Sequence, residues 1–192
     1  MKQKSDKFPK WLIAFLIVEA ILVLYTLVVM IMFFRIIEVP TEPYSNEEYN
    51  QVLNLLNSDY EQSTPQRTDD EYKRVIEEQL GLSMYIYTEK DLGNSTDGIT
   101  HILVRLITID STIEGYEYCL AFTHEALHLK TCSKNETYIC TETFKFLYEN
   151  EDEELHNIGV WYARQQLMDL YIGEYNIKNY IINYIIGEEG SN

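Results

Sequence analysis

HEALH, residues 124–128, is the stretch of sequence from which both the site and the surrounding fold can be worked out. Its two histidines, His124 and His128, are four residues apart, and on a helix this spacing points both imidazoles to one side. Glu125 follows the first histidine directly, where a carboxylate can hold a metal-bound water and take its proton. The pattern predicts a Zn²⁺ site with both histidines as ligands and Glu125 as the general base.

The sequence around HEALH predicts helices and a small sheet. Ser111 and Glu114 have capping-box spacing and predict a helix that runs to about Lys130. Residues 83–88 and 100–109 are rich in β-branched and apolar side chains and predict two strands of a hairpin, the second buried on both faces. Further helices are predicted over residues 45–58, 69–80 (closed by Gly81), 133–150, 153–172 and 176–186. We therefore expect an α+β fold, mostly helical, with a small β-sheet.

Placed after such a strand, HEALH resembles the zincin metallopeptidases, specifically the gluzincin type, in which a later glutamate is the third zinc ligand. Residues 135–149 are also similar to small HExxH proteins of Gram-positive bacteria and their mobile elements. The resemblance covers roughly residues 100–175. It implies that the chain hydrolyses a peptide or protein substrate with zinc-activated water, and that the substrate lies extended along the strand Ile102 to Ile109.

Three downstream glutamates are candidates for the third ligand: Glu136, Glu142 and Glu149. If the two helices meet in a tight hairpin with its tip near Cys132, His128 and Glu136 are each four residues from the tip and lie at the same level. Glu142 would lie nearer to the level of the first histidine, whereas the longer spacing usual in gluzincins favours Glu149. We predict Glu136 as the ligand; its alternative role is to complete a capping box with Ser133.

The sequence leaves two further assignments open. A group is needed to stabilise charge on the substrate carbonyl oxygen, and the candidates are His156, Tyr162 and Tyr175. Cys132 and Cys140 could form a disulfide, remain free thiols or bind zinc, whereas Cys119 is predicted to be buried packing.

Residues 11–34 predict a transmembrane helix, because they are apolar apart from Glu19 and long enough to cross a bilayer. Lysines precede this segment and mostly acidic residues follow it, so the positive-inside rule predicts a cytoplasmic N-terminus and an extracytoplasmic domain. The sequence thus predicts a single-pass membrane protein that contacts lipid through residues 11–34. Its predicted parts are a cytoplasmic tail and anchor (1–37), a linker (38–44) and a zincin-like domain (45–192).

The charge of the chain narrows the choice of partners. The formal net charge is −16. Because a chain this acidic repels phosphate backbones, no nucleic acid is expected as a partner. The sequence does not determine an oligomeric state.

The leading prediction is a membrane-anchored zinc metallopeptidase. The alternative is a non-catalytic, membrane-tethered binding or accessory protein that keeps the zincin scaffold.

Overall fold

The computed structural model describes residues 10–33, 44–60, 64–93, 96–168 and 177–189. The chain divides into two compact units, each described by itself. The first unit, Met1–Arg35, contains helix α1 (Lys10–Phe33). The second unit, Ile36–Asn192, contains the remaining elements. Apart from Tyr44, the predicted linker over residues 38–44 lies outside the described residues.

The predicted membrane anchor is wrong, because no helix within the described ranges is both long and apolar enough to cross a membrane. Two predictions about localisation depended on the anchor and are corrected with it: the single-pass membrane protein and the extracytoplasmic domain.

The second unit is α+β and mostly helical, and its described residues contain six α-helices and a three-stranded sheet. The helices are α2 (Asn46–Asp59), α3 (Asp69–Leu80), α4 (Gly115–Thr131), α5 (Glu136–Tyr148), α6 (Glu153–Leu167) and α7 (Lys178–Glu189). The strands are β1 (Ile86–Lys90), β2 (Gly98–His101) and β3 (Leu106–Asp110).

Helices α2 and α3 lie where the sequence predicts them, because their ends carry local signals. The Ser45 side chain accepts a hydrogen bond from the backbone N–H of Glu48, whose carboxylate accepts from the backbone N–H of Ser45. Thr68 and Glu71 form the same capping box at the start of α3. Gly81 ends α3 in the left-handed conformation, with φ +62°, which a residue without Cβ adopts most easily.

The sheet differs from the predicted hairpin. Its strand order is β1–β3–β2, with β1 parallel and β2 antiparallel to the central β3. The run over residues 100–109 is not one strand, since a 3-10 turn (Ile102–Val104) and Arg105 at φ +51° separate β2 from β3. Arg105 is held in this conformation by hydrogen bonds of 2.9 Å from its guanidinium to the carbonyl oxygens of Met84 and Ser83. The long apolar run therefore supplies two strands that pair with each other.

Helices α4 and α5 meet at a tight corner, as predicted, but the residues that build it differ. Cys132 ends α4 in the left-handed region, with φ +54°. Asn135 caps α5 by accepting a hydrogen bond of 3.1 Å from the backbone N–H of Tyr138. The N-cap of α5 is therefore Asn135 and not Ser133, and the Glu136 side chain faces α4.

Three other helix ends also differ from the prediction. Helix α4 begins at Gly115, after an N-cap at Glu114, and not at Ser111. Helix α6 ends at Leu167 and not at residue 172, and residues 169–176 lie outside the described part of the chain. Helix α7 extends to Glu189, beyond the predicted end at residue 186.

Helices α5 and α6 approach each other closely at Gly159. A Cβ placed there would lie 2.5 Å from the backbone nitrogen of Tyr148 and 2.7 Å from the carbonyl carbon of Leu147. Glycine in the middle of a helix costs about 1 kcal/mol relative to alanine, but here it permits two backbones to touch. The contact holds α5 against α6 and so fixes the helix that carries Glu136.

Candidate metal centre

Helix α4 places the two histidines and the glutamate of HEALH at the boundary between core and surface. His128 is 6 % exposed and Glu125 is 7 % exposed, whereas His124 retains partial exposure. The rest of the helix is anchored by the apolar side chains of Phe122 and Leu129, both fully or almost fully buried. The helical context that the motif requires is present.

The corner between α4 and α5 brings Glu136 to the two histidines. Glu136 Oε2 lies 3.0 Å from Nε2 of His124 and 3.1 Å from Nε2 of His128, and the two histidine nitrogens are 3.1 Å apart. The ligand atoms of these three residues all lie within 4.8 Å of one another, close enough to hold one metal ion. No other group of this kind is found among the described residues.

The orientation of His128 is fixed by the corner between α4 and α5. Its Nδ1 lies 2.7 Å from the backbone carbonyl oxygen of Ser133, a fully buried residue of that corner. A carbonyl oxygen only accepts hydrogen bonds, so Nδ1 carries the proton. In the neutral ring Nε2 then carries a lone pair, and this lone pair points at Glu136 and His124. Metal-binding histidines characteristically have such a partner behind the ring.

Cys140 on α5 acts on the pKa of His124 together with Glu136. Burial acts to lower the pKa of His124, but the side chains of Cys140 and Glu136 outweigh it and raise the pKa to about 10. Burial likewise acts to raise the pKa of Glu136, and the hydrogen bonds with the two histidines overcome it and bring the pKa to about 2. The cluster therefore favours one positive charge between a carboxylate and two imidazoles.

This arrangement suits a cation at its centre. With a lone pair on Nε2 of His128 and a carboxylate at Glu136, the cluster is rich in acceptors and requires a proton or a metal ion between them. Ligand atoms bound tetrahedrally at ~2.0–2.1 Å are separated by about 3.3 Å, close to the 3.0 and 3.1 Å found here. Two histidines and one glutamate are a donor set used by catalytic zinc sites, which leave a fourth position open. The residues present thus fit a divalent metal such as zinc.

Glu125 points toward the sheet and not toward α5. A Cβ placed at Gly98 in β2 would lie 2.6 Å from Cγ and 3.1 Å from Oε1 of Glu125, so the glutamate packs directly on that glycine. Thr100 donates a hydrogen bond of 3.0 Å to the Glu125 backbone carbonyl and so ties α4 to β2. Burial raises the pKa of Glu125, while the charges of His124 and His128 act to lower it. A buried carboxylate with a raised pKa is suited to accept a proton near neutral pH.

The other predicted site residues lie elsewhere. Glu142 and Glu149 lie near Tyr180 of α7, where their charges act on the pKa of that tyrosine. His156 is bound through Nδ1 to the backbone carbonyl of Tyr148. Tyr162 is buried and only 1 % exposed. Tyr175 lies outside the described residues.

One further expectation about the site needs correction. The strand expected as the substrate ledge, Ile102 to Ile109, is divided between a turn and β3, and β3 is paired on both sides. Cys132 and Cys140 are free thiols, which is one of the alternatives that the sequence left open for them. The structure adds Ser133 and Gly98 to the site, and the sequence contains no local signal for either of them.

Among known proteins the chain matches no protein-family model, no curated protein and no solved structure. Its function therefore has to be argued from the chemistry of the centre formed by His124, His128 and Glu136.

Proposed function

We propose that the chain is a zinc-dependent peptidase that uses Glu125 as its general base. The observation that carries the proposal is the cluster of His124, His128 and Glu136, with donor atoms 3.0–3.1 Å apart, next to a buried glutamate. A site that only binds metal for stability has no need of a buried carboxylate that follows its first ligand.

Each residue has a separate task in this proposal. His124, His128 and Glu136 hold the metal, and the Ser133 carbonyl keeps His128 in the tautomer whose Nε2 is free to bind it. When bound, zinc would lower the pKa of a coordinated water and polarise the substrate carbonyl. Glu125 takes a proton from the attacking water and returns it to the amine that leaves. The raised pKa of Glu125 favours the first of these steps, because it makes the carboxylate a stronger base.

The edge strand β2 is the element best placed to receive the substrate. Within the described residues it pairs only with β3, so one edge carries unpaired backbone groups. Its first residue, Gly98, contacts Glu125, which brings that edge next to the proposed base. An extended peptide can therefore add a strand beside β2 with its scissile bond near Glu125.

Metal analysis of the full chain tests the proposal. The wild type should bind about one zinc per chain, and His124→Ala and His128→Ala should lose it. Glu142→Ala is the matched control, since it removes a carboxylate from the same helix as Glu136 but away from the cluster.

Catalysis is tested separately with a library of fluorescence-quenched peptides. Glu125→Gln should keep zinc and lose cleavage, because the amide can occupy the same space but cannot accept the proton. Cleavage that survives this change would refute the assigned base. Zinc binding without cleavage of any peptide by the wild type would favour a non-catalytic metal protein instead.

A further inference from the structure

The exposed apolar side chains of the second unit are concentrated on its sheet. Six large apolar side chains are exposed among the described residues of that unit. One of them is Met168, and the other five lie on the strands or in the segments that precede β1 and β3: Met84, Ile86, Ile99, Leu103 and Val104. Arg105 holds these two segments together, because its guanidinium donates a hydrogen bond of 2.9 Å to the Met84 carbonyl oxygen. Exposed apolar side chains grouped in this way are typical of a surface that binds a partner.

The side chains of β2 alternate between the two faces of the sheet. Thr100 faces α4, since its hydroxyl donates a hydrogen bond of 3.0 Å to the Glu125 carbonyl oxygen. Gly98 also lies on this face, against the Glu125 side chain. Successive side chains of a strand point to opposite faces, so Ile99 and His101 lie on the outer face, where both are exposed. The outer face therefore presents an apolar side chain, Ile99, at the β2 edge.

The backbone of β2 presents unpaired groups at the two residues that face α4. The Asp110 N–H donates a hydrogen bond of 2.9 Å to the Asp97 carbonyl oxygen, in line with the register of β2 and β3. In an antiparallel pair, residues bonded to the partner strand alternate with residues whose peptide groups point away from it. Ile99, two residues after Asp97, is thus bonded to β3, whereas Gly98 and Thr100 direct their N–H and C=O groups to the edge that β3 does not occupy. A strand added at this edge bonds to Gly98 and Thr100 and lies beside the Ile99 side chain.

We propose that this edge selects extended peptides that carry large apolar side chains at alternate positions. The selection rests on the proposed peptidase function, for which it names the substrate class. Every second side chain of a strand added beside β2 falls on the outer face, and directly opposite side chains of neighbouring strands have Cβ atoms about 4.5–5.5 Å apart. One apolar side chain therefore contacts Ile99. The side chain two positions along, about 7 Å away, lies beside His101, where the turn that carries Leu103 and Val104 begins.

The position of Ile99 is the reason why the occupant is a substrate peptide. Ile99 lies between the two residues whose free peptide groups recruit a strand, and one of these, Gly98, touches the proposed base Glu125. A peptide held by this edge therefore covers Ile99 and passes Glu125 at the same time. The same strand both selects the side chains and brings the peptide to the metal centre.

Fluorescence polarisation with labelled peptides tests the selection in the full-length chain. Glu125→Gln is used so that binding is measured without cleavage. A short Ser/Ala peptide with leucines two positions apart should bind about fivefold more tightly than its isomer with adjacent leucines, because the isomer can place only one leucine on the outer face. Equal affinity for the two isomers would overturn the inference.

Variants of the contact residue test the part played by Ile99. Ile99→Thr keeps the β-branch but removes apolar contact, so it should reduce the difference between the isomers, whereas Ile99→Val should retain most of it. Met168→Gln is the matched control, since it changes the exposed apolar residue that lies away from the sheet, and it should leave the difference intact. An equal reduction in Met168→Gln would overturn the inference. So would a wild-type dimer that Ile99→Thr dissociates in sedimentation equilibrium, because a second copy would then occupy the face.

Proline tests the added strand itself. Thr100→Pro removes the N–H that points away from β3, while Thr100→Val removes only the hydroxyl. Thr100→Pro should bind the peptide with alternate leucines more weakly than Thr100→Val, and equal affinities would refute strand addition. If the wild type cleaves no peptide although these differences are found, the peptidase proposal fails and the peptide-binding edge stands. Cleavage of both leucine isomers with equal kcat/KM refutes only the selection.

Discussion

Replacing Gly159 by alanine should destabilise the chain, although alanine is the better residue in most helices. The helix propensity gains about 1 kcal/mol. The new Cβ would lie 2.5 Å from the backbone nitrogen of Tyr148 and 2.7 Å from the carbonyl carbon of Leu147. Neither atom can rotate away as a side chain would, so α5 and α6 must separate. Overpacking costs about 1–3 kcal/mol, and a clash with backbone belongs at the upper end, which leaves a net loss of about 2 kcal/mol.

Thermal and urea unfolding of the full chain measure this loss. A net change of about 2 kcal/mol should lower Tm by about 4–8 °C in a chain of this size. Gly187→Ala is the matched control, because nothing lies within 4 Å of a Cβ at that position of α7. The control should leave Tm unchanged or raise it. A Gly159→Ala variant as stable as wild type would refute the close approach of α5 and α6.

Three further predictions concern the site and its surroundings. Gly98→Ala should displace Glu125 by about 1 Å while leaving the zinc content unchanged, and peptide cleavage should fall by about 10²-fold; unchanged cleavage would contradict the proposed base. Asp152→Asn should cost about 1 kcal/mol at pH 6, since Arg67 holds the Asp152 carboxylate through contacts of 2.6 and 2.7 Å and lowers its pKa. A carboxyl group whose pKa is lower in the folded than in the unfolded protein stabilises the fold above its unfolded pKa, and this stabilisation is lost as the pH falls through its folded pKa. The unfolding free energies of the two proteins, measured in urea, should therefore converge toward pH 2; a constant difference would argue against this pair. Zinc at 100 times its Kd should raise the unfolding free energy by about 2.7 kcal/mol, an effect that a chelator removes and that His128→Ala lacks.

The helices before the sheet could be predicted from the sequence because their signals are local. The capping box at Ser45 and the left-handed Gly81 each involve only neighbouring residues, so a short window contains the whole cause. The sheet could not be predicted in this way, because the break between β2 and β3 at Arg105 depends on carbonyl groups about twenty residues earlier in the chain. Strand pairing is likewise decided by partners that are distant in sequence.

The candidate site follows the same division. The histidine spacing and the placement of Glu136 follow from helix geometry and one turn, and the structure brings these three side chains together. The packing of Glu125 on Gly98 depends on contact between a helix and a strand, for which the sequence has no local signal. The support that Ser133 gives His128 comes from a backbone carbonyl, which every residue type has, so no pattern of side chains could predict it.

The short separation of the three predicted ligands has a consequence for how the protein is made. His124, His128 and Glu136 fall within thirteen consecutive residues joined by one corner. Bringing them together closes only a small loop, and contacts so close in sequence form early and cheaply in entropy. The corner that brings these three residues together can thus form once α5 has emerged from the ribosome, before α6 and α7 have emerged. A nascent chain that captured a metal ion at that stage would have a metal-linked helical hairpin against which the later helices dock.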